Sequence, residues 1–385
     1  MYLLPILKLM AQKQASDVFI SAGMPISIKI LGTIMPVNTE VLDPETVHKI
    51  ACEMMSEKDQ HEFEQTWEMN FSFPVPEVGR FRVNVFRQRG NTALVIRYLR
   101  TQTPGIEALR LPLILKDLIM EKRGLILVVG ATGSGKSTTL AAMIEHRNVT
   151  RGGHILTIED PIEFVFKHNR CVINQREVGL DTKSYGSALV NAMREAPDIL
   201  MIGEIRDRET LQQALLYAQT GHLCISTLHA NNSYHALNRI INFFPYDART
   251  SLLNDLAVCL KAVISQRLVK AMDGTQVAAV EVLLSSKHIQ ELIVKSEIDQ
   301  IKEAIEKSLS PGSVSFEQAL FKLYADGKIT KEEALRNSDS ATNLSWLMNN
   351  AEQNAQRIGA KGPVASAAAM NTSFDEFKID INAGD

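Results

Sequence analysis

With 385 residues, 45% apolar and 22% charged side chains, the chain has the make-up of a soluble globular protein of two or three domains. Its formal net charge of -3 excludes a broad electrostatic pull toward nucleic acid, though a local basic channel stays open, and no apolar run approaches the roughly 20 residues of a membrane span. Cys52, Cys171, Cys224 and Cys259 stand far apart with no Cys-x-x-Cys pair, which argues against zinc and a disulfide framework and suits a reducing cytoplasm.

The opening Met1-Tyr-Leu-Leu-Pro-Ile-Leu-Lys8 is too short for a signal peptide and reads as an amphipathic first helix. Ile26-Ser-Ile-Lys-Ile-Leu31 alternates until Gly32 breaks it, as in a hairpin strand. A helical stretch covers residues 44–66. Phe71-Ser-Phe-Pro74 and Phe81-Arg-Val-Asn-Val-Phe86 alternate apolar with polar, and Thr92-Ala-Leu-Val-Ile-Arg-Tyr98 is a more buried strand. Residues 1–100 thus make an α+β domain, and Thr101-Gln-Thr-Pro-Gly105 opens a linker over 101–112.

From 113 to 345 short apolar strands (125–129, 154–158, 199–202, 223–226) alternate with helices (184–195, 208–219, 233–243). That alternation predicts an α/β domain with a mostly parallel, helix-covered sheet. Beyond 282 the chain turns helical and more charged, including 316–325 and 331–334. Residues 346–385 read as a flexible tail, rich in Ala, Asn, Gln and Ser up to 372. Its end, with Phe374, Phe377, Ile379 and Ile381, is either a docking peptide or an unselected disordered terminus.

The segment at 130–137 reads Gly-Ala-Thr-Gly-Ser-Gly-Lys-Ser, after an apolar strand and before a helix, the context that G-x-x-x-x-G-K-[ST] requires. Gly130, Gly133 and Gly135 let the backbone curl so that N–H groups point at phosphate oxygens, and the helix start adds partial positive charge. The expected nucleotide-binding set is Gly130, Ala131, Thr132, Gly133, Ser134, Gly135, Lys136, Ser137 and Thr138. Lys136 reaches β- and γ-phosphates, and the Ser137 hydroxyl is a Mg²⁺ ligand.

Two acidic clusters end strands of the same sheet. Asp198-Ile-Leu-Met-Ile-Gly-Glu204 brings Glu204 to a strand's carboxyl edge, where it is the second expected metal ligand; Thr157-Ile-Glu-Asp-Pro-Ile-Glu-Phe164 offers Glu159, Asp160 and Glu163. Asp207 suits a helix cap. His222 and His229 bracket one strand, either to hydrogen-bond and report phosphate or simply as polar groups at strand ends.

The blocks 130–137, 157–164, Ala196-Pro-Asp-Ile-Leu-Met-Ile-Gly-Glu-Ile-Arg-Asp207 and 221–231 resemble the Walker A, aspartate box, Walker B and histidine box of the secretion and type IV pilus ATPases, over about residues 1–340. The short N-terminal part, the openings Met1-Tyr-Leu-Leu-Pro5 and Ser16-Asp-Val-Phe-Ile-Ser-Ala-Gly23, and the lack of a four-cysteine motif are similar to the PilT/PilU retraction branch. His288-Ile-Gln-Glu-Leu-Ile-Val-Lys-Ser-Glu297 replaces the PilT-type Ala-Ile-Arg-Asn-Leu-Ile-Arg. With Ser338-Asp-Ser-Ala-Thr-Asn-Leu344 and the long tail, it resembles the PilU type.

The resemblance implies a PAS-like N-terminal domain, a RecA-like P-loop ATPase domain with a helical C-terminal part, and a homo-hexameric ring using ATP and Mg²⁺. It implies a PilT-type retraction ATPase and an inner-membrane pilus-base platform protein as partners and a cytoplasmic place at the pilus base; no nucleic acid and no zinc are expected from the near-neutral charge and the scattered cysteines. By the same resemblance Glu163 is the catalytic base, Glu204 holds Mg²⁺ and water, and His222 and His229 relay the nucleotide state. The tract Gly79-Arg-Phe-Arg-Val-Asn-Val-Phe-Arg-Gln-Arg89, with Arg97, offers arginines to the γ-phosphate. Arg82, Arg87 and Arg97 rank ahead of Arg80 and Arg89; solubilising an edge strand is the plain alternative. The expected function is an ATP-hydrolysing motor that powers or assists pilus retraction and twitching, as accessory to a PilT-type ATPase. A nucleotide-binding scaffold and a RecA-like nucleic-acid motor stay open.

Overall fold

Residues 2–13, 15–30, 32–99, 103–308 and 310–357 are described by the structure, a computed structural model. The chain divides into two units, Met1–Thr103 with Ile162–Lys167, and Pro104–Pro161 with His168–Asp385. The return of a short segment around Glu163 to the first unit was not anticipated from the sequence.

The first unit runs α1 (Leu4–Lys13), β1 (Asp17–Ser21), β2 (Ser27–Ile30), β3 (Thr33–Pro36), α2 (Pro44–Met54), α3 (Glu57–Thr66), β4 (Glu68–Val75), β5 (Gly79–Gln88) and β6 (Asn91–Leu99). Its sheet has the order β3-β2-β1-β6-β5-β4, with every neighbouring pair antiparallel. On β5 the period of two puts Phe81, Val83 and Val85 in the core with Leu7, Met10, Val47, Ile50 and Phe63 of the helices. The single helix expected over 44–66 is two. Asp43 and Pro44 start α2; Met55 then turns extended, and Ser56 with Asp59 forms a capping box that starts α3.

The second unit runs α4 (Ile114–Leu118), β7 (Gly124–Val129), α5 (Lys136–Thr150), β8 (Gly153–Glu159), β9 (Cys171–Glu177), α6 (Tyr185–Ala192), β10 (Ile199–Ile202), α7 (Arg208–Gln219), β11 (Leu223–Leu228), α8 (Ser233–Asn242), α9 (Arg249–Cys259), β12 (Leu260–Lys270) and β13 (Gln276–Leu284). It continues through α10 (Lys287–Val294), α11 (Ile301–Glu306), α12 (Phe316–Ala325), α13 (Lys331–Asn337) and α14 (Ala341–Arg357). The sheet order is β13-β12-β7-β11-β10-β8-β9, all parallel except the β12–β13 hairpin at one edge. Strands β7, β10 and β11 are buried throughout, as an apolar run covered on both faces requires. β9, β12 and β13 were missed. β9 (Cys-Val-Ile-Asn-Gln-Arg-Glu) is a polar edge strand whose pattern is weak, and β12 follows α9 without a break that sequence can mark.

The fold class read from the sequence, an α+β unit followed by a P-loop α/β unit with a helical C-terminal part, is the one observed. Helices α12 to α14 lay Phe316, Leu320, Leu344 and Met348 on Val269 and Val277 of the edge hairpin. Helix α14 therefore continues past 345, where the flexible tail was expected to begin, because Met348 and Ala351 are buried. The docking-peptide residues Phe374, Phe377, Ile379 and Ile381 lie outside the described residues, as do 101 and 102 of the expected linker. Among the described residues no helix is long and apolar enough to cross a membrane.

Candidate nucleotide site

In a parallel sheet the carboxyl ends of the strands share one edge, and loops leaving that edge converge. Here the loop 130–135 leaves β7, Glu204 follows β10, and His229 follows β11, the strand between them.

The loop is shaped by two different properties of glycine. Gly133 and Gly135 have φ of +79° and +88°, the left-handed region that spares glycine a Cβ penalty, and Gly135 caps α5. Gly130 is needed for space instead. A Cβ there would sit 2.3 Å from Ser134 Oγ and 2.6 Å from the Gln266 carbonyl oxygen. Helix α5 starts at Lys136, so the loop amides and the helix N-terminus face the same point. Lys136 is buried and its ammonium donates to the carbonyls of Gly130 (3.0 Å) and Ala131 (2.9 Å). Ser137 and Thr138 follow on the first turn, while Ala131, Thr132 and Gly133 are exposed at the tip. The Ser134 hydroxyl is buried and has no hydrogen-bond partner among the described residues. A buried orphan hydroxyl inside a glycine-lined, lysine-backed loop fits a phosphate chain. Beneath the loop, Thr139 Oγ1 donates to Gln266 Oε1 at 2.6 Å in a fully buried pair that ties α5 to β12.

Glu204 is fixed by its backbone neighbours. Gly203 N–H donates to the Ile158 carbonyl, Ile205 N–H to the Thr227 carbonyl, and Thr227 Oγ1 to the Gly203 carbonyl at 2.6 Å. The carboxylate is then bracketed: His229 Nε2 stands 3.0 Å from Oε1 and Arg206 Nε 2.8 Å from Oε2. Arg206 also reaches Asp160 at 3.4 Å, joining the two acidic clusters. Burial pushes the nearby Tyr185 phenol above its ordinary value, with Asp160 adding to the rise. A cleft of about 350 Å³ opens between Gly130, Ala131, His229, Asn231, His235 and Arg239. Ser137 and Glu204 are the oxygen donors that could hold a magnesium ion, a hard cation suited to hydroxyl, carboxylate and phosphate oxygens. No group of three or more His, Cys, Asp or Glu side chains that could hold a metal by itself occurs among the described residues.

The remaining expected residues are placed elsewhere. His222 precedes β11, on the edge of the sheet away from His229, about 20 Å along a strand rising about 3.3 Å per residue. It bonds Thr220 Oγ1 at 3.1 Å and stands edge-on to Tyr217. Glu159 is buried behind Gly203 and accepts from Thr157 Oγ1 and Gln175 Nε2. Asp207 caps α7 by accepting from Thr210 N–H at 2.8 Å. The first unit bears Glu163, which is exposed, and the arginines. Arg82 and Arg97 are cross-strand partners on β5 and β6, and Arg97 donates to Asp17 at 2.8 Å. Arg87 lies 6.0 Å from the ring centres of both Phe63 and Trp67. Sequence reasoning missed Arg206 and Gln266. Arg206 was visible two positions after Glu204, whereas nothing in the sequence marks Gln266 as a neighbour of the loop.

Residues 2–301 match the family model described as Type II/IV secretion system protein. The type IV pilus ATPase PilU of Pseudomonas aeruginosa is 47% identical over 89% of this chain and 90% of its own length. The type IV pilus retraction ATPase PilT of the same organism is 41% identical over 84% of this chain and 94% of its own. The crystal structure of the pilus retraction motor PilT with bound ADP superposes with a TM-score of 0.82 at 41% identity, covering 89% of this chain and 99% of that one. With its phosphate loop, Glu204 and His229 at one sheet edge and these relatives over most of its length, the chain belongs to the type II/IV secretion system protein family, in the branch that holds PilT and PilU.

Proposed function

We propose that the chain is an ATPase subunit of a homo-hexameric motor that powers or assists type IV pilus retraction, as accessory to a PilT-type ATPase. The bracketed Glu204 beside the phosphate loop carries this reading, because a P-loop enzyme needs a fixed carboxylate there to serve the metal and the attacking water. The names of the PilU and PilT relatives supply the pilus context.

Magnesium-bound ATP would supply the scissile γ-phosphoryl bond and the metal's neutralising charge. Lys136 and the amides of 130–137 would bind the phosphates, and Ser137 with Glu204 would hold the magnesium. His229 and Arg206 orient Glu204. Glu163 would accept the proton of the attacking water, and Arg82, Arg87 and Arg97 would bring positive charge to the phosphates. His222 and His229 would relay the nucleotide state. The motor would sit at the cytoplasmic face of the inner membrane, against a pilus-base platform protein.

A second reading is a nucleotide-binding scaffold, favoured by one observation: Arg206 neutralises the carboxylate that would serve the metal. Mg²⁺-dependent ATP hydrolysis by the purified chain, alone and with a PilT-type partner, separates the two. With the partner's own phosphate-loop lysine replaced so that only this chain can hydrolyse ATP, turnover under either condition that Glu204→Ala abolishes, with ATP binding retained, supports the motor; binding without turnover under both leaves the scaffold.

A further inference from the structure

The turn between α13 and α14, part of the segment whose sequence stood out as PilU-like, holds Asp339. Its Oδ1 accepts from Arg267 of β12, and its Oδ2 accepts from Asn232 Nδ2 at 2.8 Å. Arg267 donates further to the carbonyls of Asn337 (2.5 Å) and Asn231 (3.0 Å), with its guanidinium 4.0 Å from the centre of the Phe316 ring. Asn232 is buried, and its Oδ1 caps α8 by accepting from His235 N–H at 3.0 Å. The loop 229–232 is thereby tied at one end to the C-terminal helices. At its other end stands His229, with its ring 3.0 Å from Glu204 and its carbonyl accepting from Arg239 at 2.8 Å. Arg267 is also the chain neighbour of Gln266, which supports the phosphate loop through Thr139.

We propose that Asp339 is a positioning residue of the nucleotide site: the Asp339–Asn232–Arg267 clasp lets the C-terminal helices set His229, and through it Glu204. The physical basis is polarity. One carboxylate satisfies a guanidinium and a buried amide at once, and that amide has a second fixed duty at the α8 cap, so the loop has a single well-satisfied arrangement. A displacement of α13 and α14 is then felt as slower turnover. The inference rests on the ATPase reading above.

The test is an exchange of polarity in the full chain. Asp339→Asn leaves a single acceptor oxygen for two donors, so its amide N–H₂ must face either Arg267 or Asn232 Nδ2; Asn232→Asp leaves two carboxylates facing each other. The double exchange Asn232→Asp with Asp339→Asn restores one donor and one acceptor, keeps an oxygen for the α8 cap, and keeps an acceptor for Arg267. Each single variant should lower kcat about fivefold, the worth of a typical hydrogen bond, with KM within about twofold. The double should recover most of the loss. Wild-type kcat in the singles, or a double no better than the singles while all melt close to wild type, overturns the proposal. Hydrogen exchange keeps it apart from the ATPase reading. If the wild-type chain hydrolyses no ATP, that reading fails, and the clasp is judged by the amides of 229–235. Faster exchange in the singles and wild-type exchange in the double support it; unchanged exchange in all three overturns it.

Discussion

The His229 imidazole and the Glu204 carboxylate stand 3.0 Å apart, each at the end of a different strand of one parallel sheet. Neither residue could reach the other in an isolated segment; the register of β10 against β11 makes the pair. Because Arg206 closes the second carboxylate oxygen, Glu204 has little rotational freedom. Glu204→Ala should reduce ATP turnover about 100-fold or more while leaving nucleotide affinity within a few-fold, as expected when a group serving the transition state is removed. His229→Ala should cost less, about tenfold in kcat. Steady-state kinetics beside equilibrium binding of a non-hydrolysable analogue check both, and equal turnover in Glu204→Ala would defeat the assignment.

Gly130→Ala should weaken nucleotide binding although alanine is small. Its Cβ would meet Ser134 Oγ at 2.3 Å and the Gln266 carbonyl at 2.6 Å, and a strand carbonyl cannot swing aside. Overpacking of this kind costs about 1–3 kcal/mol, here taken up by distortion of the loop. The measurement is ATP affinity by titration calorimetry, with unchanged affinity as the contrary result.

Thr139→Val removes the donor to Gln266 Oε1 and leaves that oxygen buried. An unsatisfied buried acceptor costs about 1–3 kcal/mol, so the melting temperature of the second unit should fall by several degrees. Gln266→Leu alone should cost a similar amount. The two together should lose less than the sum, because they share one bond.

Glu281 supplies a pH dependence. It is almost wholly buried, and burial holds its carboxyl above the ordinary value of 4.5 despite hydrogen bonds from Ser233 N–H and Ser265. The folded state therefore favours the protonated form. Its contribution to stability is complete below the ordinary carboxyl range and is lost as pH rises through the raised value. Glu281→Gln keeps an oxygen for both donors and carries no charge. Its melting temperature should gain on wild type as pH goes from 5 to 8, and a gap independent of pH would contradict the buried-acid account.

Several elements were legible because their signal is local. The loop 130–137, the cap at Asp207 and the buried strands at 199–202 and 223–226, the latter running on to 228 in the structure, each announce themselves within a dozen residues. The break between α2 and α3 was equally local and was still missed, since the helical pattern around Ser56 outweighed one capping residue. β9 and β12 failed for a different reason. β9 alternates in burial, but its outward Val172 and inward Glu177 hide that alternation from the sequence, and Gln266 and Arg267 face partners more than 30 positions away.

Sequence alone determined the chemistry on offer, a phosphate-binding turn with a lysine, a serine and acidic groups ending strands, because backbone curvature and charge there depend on residues close in the chain. Only the tertiary structure decided which of these groups meet. It set Glu204 between His229 and Arg206, sent His222 to the far edge, gave Glu163 to the first unit, and clasped Asp339 to the loop behind His229. Those pairings follow from strand order and register, which are settled by burial of whole sheet faces rather than by any short stretch of sequence.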